Sequence, residues 1–208
     1  MNPDSQNEPQ TVFIVDDDEE SRAGMVALME SIDLPVAAFS SAMEFMNTYK
    51  LGQPGCLLLD VRMPEMSGIE LHEKLNQQHV WIPIILVTAY AEVSLAVKAM
   101  KAGAFDFLEK PFSPQELLDK VRDALRHDRE KRMAQAERSE MLRRRENLSD
   151  RELEILGHIL RGRNAKEMAV DLRISERTVD FHRRNILDKM GTDNVVQLMR
   201  GLHGHTDL

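Results

Sequence analysis

The sequence predicts two domains of different class: an α/β domain built on a doubly wound, five-stranded parallel sheet, followed by an all-α domain of four helices. In residues 11–125, strand-like apolar runs alternate five times with helix-like segments, whereas from residue 148 onward the periodicity is purely helical. Such alternation is typical of a parallel sheet with helices on both faces. The 208 residues are enough for two ordinary domains.

The strand candidates are apolar runs with few interruptions, as expected for strands that are buried on both faces. They are Thr11–Val15, Val36–Phe39, Cys56–Asp60, Ile82–Thr88 and Phe105–Leu108. The helix candidates are Ser21–Ser31, Ala42–Tyr49, Gly68–Gln77, Ser94–Ala102 and a last helix from Pro114 to at least Leu125. Two of these helices follow a Ser-x-x-Glu capping signature, at Ser67 and at Ser113. The α/β domain is therefore predicted at residues 11–125.

Residues 126–147 contain no Gly or Pro and are dominated by Arg, Glu, Lys, Met and Ala. This composition predicts a solvated helical linker that continues the preceding helix. The all-α domain follows at residues 148–208, where another capping signature joins Ser149 and Glu152. Its helices are predicted at Arg151–Leu160, Ala165–Leu172, Glu176–Met190 and Asn194–Leu202.

The two halves of the chain differ in net charge. Residues 1–125 hold 9 Lys/Arg against 20 Asp/Glu, and residues 126–208 hold 18 against 15. An acidic module joined to a basic one indicates different partners, although the basic excess is too small to establish nucleic-acid binding by itself.

Polar residues follow four of the predicted strands: Asp16 and Asp17, Asp60, Thr88 and Lys110. The carboxyl ends of parallel strands line the ligand crevice of a doubly wound sheet, so these side chains are expected at one rim. Carboxylates suit Mg²⁺, and a carboxylate can also act as a nucleophile toward phosphorus. Taken singly, each residue has a simpler interpretation as a loop charge, a helix cap or a surface lysine.

This pattern resembles the receiver domain of two-component response regulators. The matching strings are Val15-Asp16-Asp17, Asp60-Val61-Arg62-Met63-Pro64 with Ser67-Gly68, Thr88-Ala89, and Lys110-Pro111-Phe112. The four strand ends, at Asp17, Asp60, Thr88 and Lys110, are separated by 43, 28 and 22 residues, as in that family. The resemblance implies a flavodoxin-like sheet of order 2-1-3-4-5.

The resemblance also implies roles for individual residues. Asp60 would accept a phosphoryl group from a cognate histidine kinase, and Lys110 would stabilise that group. Mg²⁺, or Mn²⁺, would be held by Asp16, Asp17, Asp60 and the Arg62 backbone carbonyl. Thr88 and Phe107 would move together on activation, which is compatible with plain core packing of Phe107. Tyr90 departs from the polar residue that relatives often carry there, which affects the expected rate of dephosphorylation.

The second domain contains a helix, a tight turn at Ile174-Ser175 and a second capped helix, the layout of a helix-turn-helix. Val179, His182, Ile186 and Met190 have core-facing spacing on the second helix. Arginine reads guanine, carboxylates accept from cytosine, and apolar rings touch the thymine methyl. The DNA-binding candidates are Lys166, Arg177, Thr178, Asp180, Phe181, Arg183, Arg184 and Lys189. A basic helix face alone is more often simply solvated.

Residues 148–202 resemble the LuxR-type helix-turn-helix. The resemblance rests on Leu148-Ser149-x-Arg151-Glu152, Asn164-x-Lys166-Glu167-Met168-Ala169, Ile174-Ser175, Thr178-Val179, His182-Arg183-x-Asn185-Ile186 and Lys189-Met190-Gly191. The whole chain is thus similar to the FixJ/NarL class, closest to its FixJ branch. This implies a transcription factor whose partners are duplex DNA, RNA polymerase and, after phosphorylation, a second copy of itself. Phosphorylation would promote dimerisation or release of the C-terminal domain. Asp180 stands where many relatives have Lys, which leaves the target sequence open.

Two other classes of function remain open at this stage. One is an enzyme that uses the acidic rim catalytically, such as a phosphatase or a flavin protein, and multiple turnover of small phosphate esters would reveal it. The other is an interaction module whose helical end binds protein or RNA. Duplex DNA affinity that falls steeply with salt and prefers a sequence would separate these.

The amino-acid composition indicates the cellular compartment in which the protein works. The single cysteine, Cys56, lies in an apolar run and cannot form a disulfide framework, so a buried inert thiol is expected. No apolar run approaches the ~20 residues that span a bilayer, and residues 1–10 lack the pattern of a signal peptide. These features predict a cytoplasmic protein with no membrane partner.

Overall fold

The computed structural model describes residues 9–89 and 93–202, and for residues 93–96 only the backbone. The strands are β1 Thr11–Val15, β2 Val36–Phe39, β3 Gly55–Asp60, β4 Ile84–Thr88 and β5 Asp106–Glu109. The helices are α1 Glu19–Glu30, α2 Ala42–Thr48, α3 Gly68–Gln77, α4 Val93–Lys101, α5 Pro114–Arg145, α6 Asp150–Leu160, α7 Ala165–Leu172, α8 Glu176–Met190 and α9 Val195–Leu202. None of the helices in the described part of the chain has the length and apolar character needed to cross a membrane.

The five strands form one parallel sheet in the order β2-β1-β3-β4-β5, as expected. Alternate residues of each strand face opposite sides, so the sheet has two apolar cores. One core contains Phe13, Leu57 and Leu86 and is covered by α2, α3 and α4. The other contains Ile14, Leu58 and Ile85 and is covered by α1 and α5. This arrangement leaves the carboxyl ends of the strands free to carry polar groups.

Residue contacts divide the chain into two compact units, Met1–Lys131 and Arg132–Leu208, and the division falls inside α5. The helix α5 continues to Arg145, and Asp128, which lies in the segment expected to be solvated, is fully buried. The Asp128 carboxylate accepts hydrogen bonds from the Gly55 N–H and the Gln10 side chain, each at 3.0 Å. These bonds tie this turn of α5 to the sheet at the start of β3.

The second unit is a four-helix domain joined by the last turns of α5. Its core contains Leu148, which precedes α6, and apolar residues of α6–α9 such as Ile155, Met168 and Ile186. Residues 203–208, the end of the predicted domain, lie outside the described residues.

Several element boundaries differ from the sequence prediction for identifiable reasons. The strand β4 begins at Ile84 instead of Ile82 because Pro83 has no N–H to donate to the ladder. The helix α1 begins at Glu19 instead of Ser21 because the Asp18 side chain caps it, accepting from the Ser21 N–H. Similarly, Asn194 lies outside α9 and accepts from the Gln197 N–H.

Candidate functional site

Three of the predicted rim residues lie in direct contact. Asp16 follows β1, Asp60 ends β3 and Lys110 follows β5. The Lys110 Nζ atom is 2.7 Å from Asp16 Oδ2 and 2.9 Å from Asp60 Oδ1. One ammonium group therefore bridges two carboxylates that are 44 residues apart in the chain, as the alignment of strand ends predicts.

Local bonds hold both carboxylates in place. Asp16 Oδ1 accepts from the Asp18 N–H at 3.0 Å, and Asp16 Oδ2 accepts from the Ser21 hydroxyl at 2.8 Å. Asp60 Oδ2 accepts from the Arg62 N–H at 2.7 Å. Gly68, at the start of α3, packs so closely on the Asp60 backbone carbonyl that a side chain at this position would overlap it. The loop after Asp60 is thus folded tightly beneath the carboxylate.

The electrostatics of the rim follow from this geometry. Burial raises the pKa of the Asp60 carboxyl, and the bonds from Lys110 offset this only in part. Partial burial would lower the pKa of Lys110, but the hydrogen bonds and attraction to Asp16 and Asp60 raise it above its ordinary value. Lys110 is therefore a cation at neutral pH, beside a carboxylate that burial makes more basic and hence more nucleophilic.

The remaining rim candidates occupy different environments. Thr88 ends β4, is buried, and its carbonyl accepts from the Lys110 N–H at 2.7 Å. Phe107 lies in β5 and packs partly buried against the apolar core. Asp17 and Arg62 are exposed at the loop surface. Tyr90 lies outside the described residues.

The rim has oxygen ligands suitable for a hard divalent cation, although among the described residues no cluster of three or more His, Cys, Asp or Glu side chains is arranged around one point. An ionised carboxylate offers about four lone-pair sites. Asp60 uses two of these and Asp16 three in the bonds described above. Acceptor capacity remains on both, so the donor set fits Mg²⁺ or Mn²⁺.

In the second unit, α8 has two chemically distinct faces. Val179, Ile186 and Met190 are fully buried. The opposite face exposes Arg177, Asp180, Phe181 and Arg184, which follow the i, i+3, i+4, i+7 spacing of one helix stripe. Phe181 is 59% exposed, although it is a large apolar side chain. The helix therefore presents a mixed basic and aromatic stripe.

His182 only partly follows the expectation of a core-facing residue. It is half-buried and lies edge-on to the Phe181 ring, with ring centroids 5.6 Å apart. Its Nδ1 atom is buried and has no hydrogen-bond partner within the described part of the chain.

The other residues predicted to contact DNA differ in the protein groups that they contact. Lys166 is exposed on α7. Arg183 lies 3.8 Å from Asp180, and the Thr178 hydroxyl is 2.7 Å from the Ser175 hydroxyl. Lys189 forms a 2.6 Å ion pair with Glu152, a buried residue of α6, so its ammonium helps to hold α6 against α8.

Comparison with known proteins gives the family. Residues 12–122 match the response regulator receiver domain, and residues 146–202 match the luxR family of bacterial regulatory proteins. The chain is a response regulator. It is 42% identical to the response regulator protein TodT of Pseudomonas putida over 189 residues, 91% of this chain and 83% of that one.

Two further relatives match this response regulator over nearly its whole length. The transcriptional regulatory protein FixJ of Azorhizobium caulinodans is 39% identical over 91% of this chain and 90% of its own. The structure of the response regulator StyR is 39% identical, has a TM-score of 0.77, and the match covers 93% of this chain and 98% of that one. The protein is therefore a transcription regulator with a receiver domain and a LuxR-type DNA-binding domain.

Two further residues hold Asp16 in place at the rim of the response regulator and were not predicted from the sequence. These are Ser21 and Arg22, which bond to the Asp16 side chain and carbonyl respectively. The available signal was the run Asp18-Glu19-Glu20, because an Asp cap followed by acids in the first turn starts a helix earlier than Ser21.

Proposed function

We propose that Asp60 is the phosphoryl acceptor of this response regulator and that its phosphorylation by a histidine kinase controls DNA binding. The observation that carries the proposal is the bridge from Lys110 to Asp60 and Asp16 at the carboxyl edge of the sheet. It joins a nucleophile and a fixed positive charge at one point. A regulator that acts on bacterial DNA in this way would work in the cytoplasm.

The proposed transfer is a single displacement at phosphorus. A carboxylate oxygen of Asp60 attacks the phosphorus of a phosphohistidine, a new P–O bond forms, and the P–N bond breaks. The kinase imidazole leaves with the bonding electron pair and takes up a proton. Lys110 neutralises the charge on the phosphoryl oxygens, and the Thr88 hydroxyl is proposed to donate to one of them.

The proposed ligands for Mg²⁺ or Mn²⁺ are Asp16, Asp17, Asp60 and the Arg62 carbonyl. When bound, the cation supplies further positive charge at the transferring group. The ammonium of Lys110 donates hydrogen bonds to the carboxylates of Asp16 and Asp60, so it limits their repulsion before the cation binds.

A cleft beside the rim supports docking of a partner that delivers the phosphoryl group. It measures about 730 Å³ and runs between α1 and the segment from Lys110 to Leu117. Its lining is mostly apolar, with Asp18, Ser21 and Lys110 at the rim side. A helical kinase segment that presents its histidine to Asp60 would fit this chemistry.

The proposed output is a homodimer formed through α4, β5 and α5. Val97 and Met100 of α4 are 46% and 45% exposed. Lys120 of α5 forms a 2.6 Å ion pair with Asp106 of β5 on the same part of the sheet. Phosphorylation, with a coupled shift of Thr88 and Phe107, would favour pairing of this face or release of the C-terminal domain. RNA polymerase would then be recruited or blocked at the bound DNA.

The proposed DNA reader is the exposed stripe of α8. Arg177 and Arg184 would contact bases or phosphates, Asp180 would accept from cytosine, and Phe181 would touch a thymine methyl. Lys166, Thr178 and Arg183 would contribute at its edges, and Lys189 less directly because of its pair with Glu152. Two such helices in a dimer would reach half-sites about one helical turn apart.

The first experiment measures phosphorylation. Wild-type protein incubated with radiolabelled acetyl phosphate and Mg²⁺ should incorporate label, Asp60→Ala should not, and Asp33→Ala, which removes an exposed aspartate of the same unit, should label normally. Label that persists in Asp60→Ala at another residue would refute the assignment.

The second experiment measures DNA binding. Wild-type protein should select a preferred duplex from a random library, with affinity that falls steeply with salt. Arg184→Ala should reduce the magnitude of the salt slope by about 1, whereas Arg122→Ala, which removes the same charge from the receiver, should leave the slope unchanged. Failure to select any duplex, or an unchanged slope in Arg184→Ala, would contradict the proposed reader.

A further inference from the structure

The carboxyl end of α8 is capped by a side chain from another helix. Arg144 lies in the last turn of α5, and its Nη1 atom donates to the Met190 backbone carbonyl at 3.0 Å. Met190 is the last residue of α8, so its carbonyl is one of the four that have no partner within the helix. A guanidinium at this position also interacts favourably with the helix dipole.

Two neighbouring residues, Glu140 and Gly191, allow Arg144 to occupy this position. Its Nε atom donates to Glu140 Oε1 at 2.9 Å, which fixes the side chain along its own helix. Gly191, the C-cap residue that follows α8, has φ +64°, and a side chain there would overlap the Arg144 guanidinium. Glycine therefore serves both the left-handed turn and the approach of the arginine.

A second contact lies one turn earlier on the same face of α5. Met141, three residues before Arg144, packs against Gly201 of α9 so closely that a side chain at position 201 would overlap the Met141 sulfur. The last turns of α5 thus touch both α9 and the end of α8. Residues 141–144 belong structurally to the DNA-binding unit, although sequence analysis assigns them to the linker.

We propose that Arg144 is a positioning residue for the recognition helix, holding the carboxyl end of α8 so that its exposed stripe meets DNA in one orientation. The inference rests on the proposed function, in which α8 is the DNA reader. Arg144 is 39% exposed and commits Nη1 and Nε to protein partners. Its contribution is to preorganise the reader, which lowers the conformational cost of binding.

Arg143 is a matched control in the same turn. It carries the same charge, its side chain is 75% exposed, and it pairs with the same Glu140. The probes are a 30-base-pair duplex selected by the wild-type protein and a scrambled duplex of equal composition. Arg144→Ala should weaken binding to the selected duplex about fivefold, while Arg143→Ala stays within twofold. Arg144→Lys, which retains one donor, should recover part of the loss.

The salt dependence separates positioning from direct contact. A positioning residue releases no counterions, so the salt slope of Arg144→Ala should equal that of wild type, and only Arg184→Ala should lower it by about 1. A slope reduced equally in Arg144→Ala would show that Arg144 contacts phosphate and would overturn the proposal. So would an affinity equal to that of Arg143→Ala.

Gly191→Ala gives an independent test, because the added methyl group should displace the Arg144 guanidinium. Because Gly191→Ala also strains the left-handed turn, the double variant should lose less affinity than the product of the two single losses, and full multiplication of the two effects would contradict the contact. Amide hydrogen exchange tests the contact between Arg144 and the end of α8 without DNA. Arg144→Ala should increase the exchange rate of the Gly191 and Thr192 amides severalfold and leave the exchange rates in α6 unchanged. If the wild type selects no duplex, the proposed reader fails, and unchanged exchange alone would still overturn the role of Arg144.

Discussion

Glu152 is a buried carboxylate that joins α6 to α8, and its environment makes a sharp prediction about stability. A single oxygen, Oε2, accepts from the Ser149 N–H at 2.8 Å, the Ser149 hydroxyl at 2.9 Å and Lys189 Nζ at 2.6 Å. Burial would raise the pKa of Glu152, but the bonds from Lys189 and Ser149 outweigh burial and lower the pKa to about 2. The charged form is thus strongly favoured in the folded domain.

The size of the stabilisation by Glu152 follows from the difference between its pKa in the folded and the unfolded protein. A decrease in pKa from 4.5 to about 2 corresponds to at most about 3.5 kcal/mol of stabilisation, since each pKa unit is worth about 1.4 kcal/mol. Lys189 is 42% exposed, so solvent screens its attraction, and we expect about 1–2 kcal/mol. Because the folded pKa is the lower one, this stabilisation is complete above about pH 4.5 and is lost as the pH falls toward 2.

The test compares wild type with Glu152→Gln, which can retain the capping geometry but not the charge. The only tryptophan, Trp81, and both tyrosines lie in the receiver, so unfolding of the helical unit is followed by circular dichroism and receiver unfolding by fluorescence. At pH 7 the free energy of unfolding of the helical unit should be about 1–2 kcal/mol lower in Glu152→Gln, and the two proteins should converge near pH 2. Equal stability at pH 7, or a difference that persists unchanged at pH 2, would refute the reasoning.

Three further changes test other parts of the fold. Asp128→Ala should lower the free energy of unfolding of the receiver by about 2–3 kcal/mol, because it leaves a buried Gly55 N–H unpaired; in urea titrations the exposed control Asp123→Ala should change it by less than about 0.5 kcal/mol. Arg173→Gly should raise the thermal midpoint of the helical unit, with a gain of about 0.5–1 kcal/mol, since Arg173 has φ +55°; a lower midpoint would contradict this. Cys56, fully buried and with its pKa raised by burial, should react with Ellman's reagent only as fast as the native protein unfolds, and a rapid stoichiometric reaction would be inconsistent with the packing.

The convergence of the rim could be predicted because it depends on strand ends alone. Asp16, Asp60 and Lys110 each follow or end an apolar run, and parallel strands bring such positions to one edge. The bonds from Ser21 and Arg22 to Asp16 could not be predicted in the same way, because they depend on the exact turn at which α1 begins. A shift of two residues at a helix start rotates the following side chains by more than half a turn.

The course of α5 shows the same limit. The absence of Gly and Pro after Leu125 predicted a continuous helix, and α5 does continue to Arg145. The composition did not indicate that Asp128 is buried or that Arg144 caps another helix. Both are charged residues whose partners, Gly55 and Met190, lie 73 and 46 residues away in the chain. Local periodicity contains no information about such pairs.

The charge balance of the helical unit has a consequence for how the protein binds DNA. Within α7 and α8, the cations that have no acidic partner among the described residues are Lys166, Arg177 and Arg184, because Arg183 and Lys189 are paired with carboxylates. Three free cations would release counterions corresponding to a salt slope of only about −3, which is modest for specific recognition. The receiver adds negative charge that DNA repels. Two linked copies would double the slope and convert the second binding event into an intramolecular one, so this surface favours a mechanism in which binding depends on dimer formation.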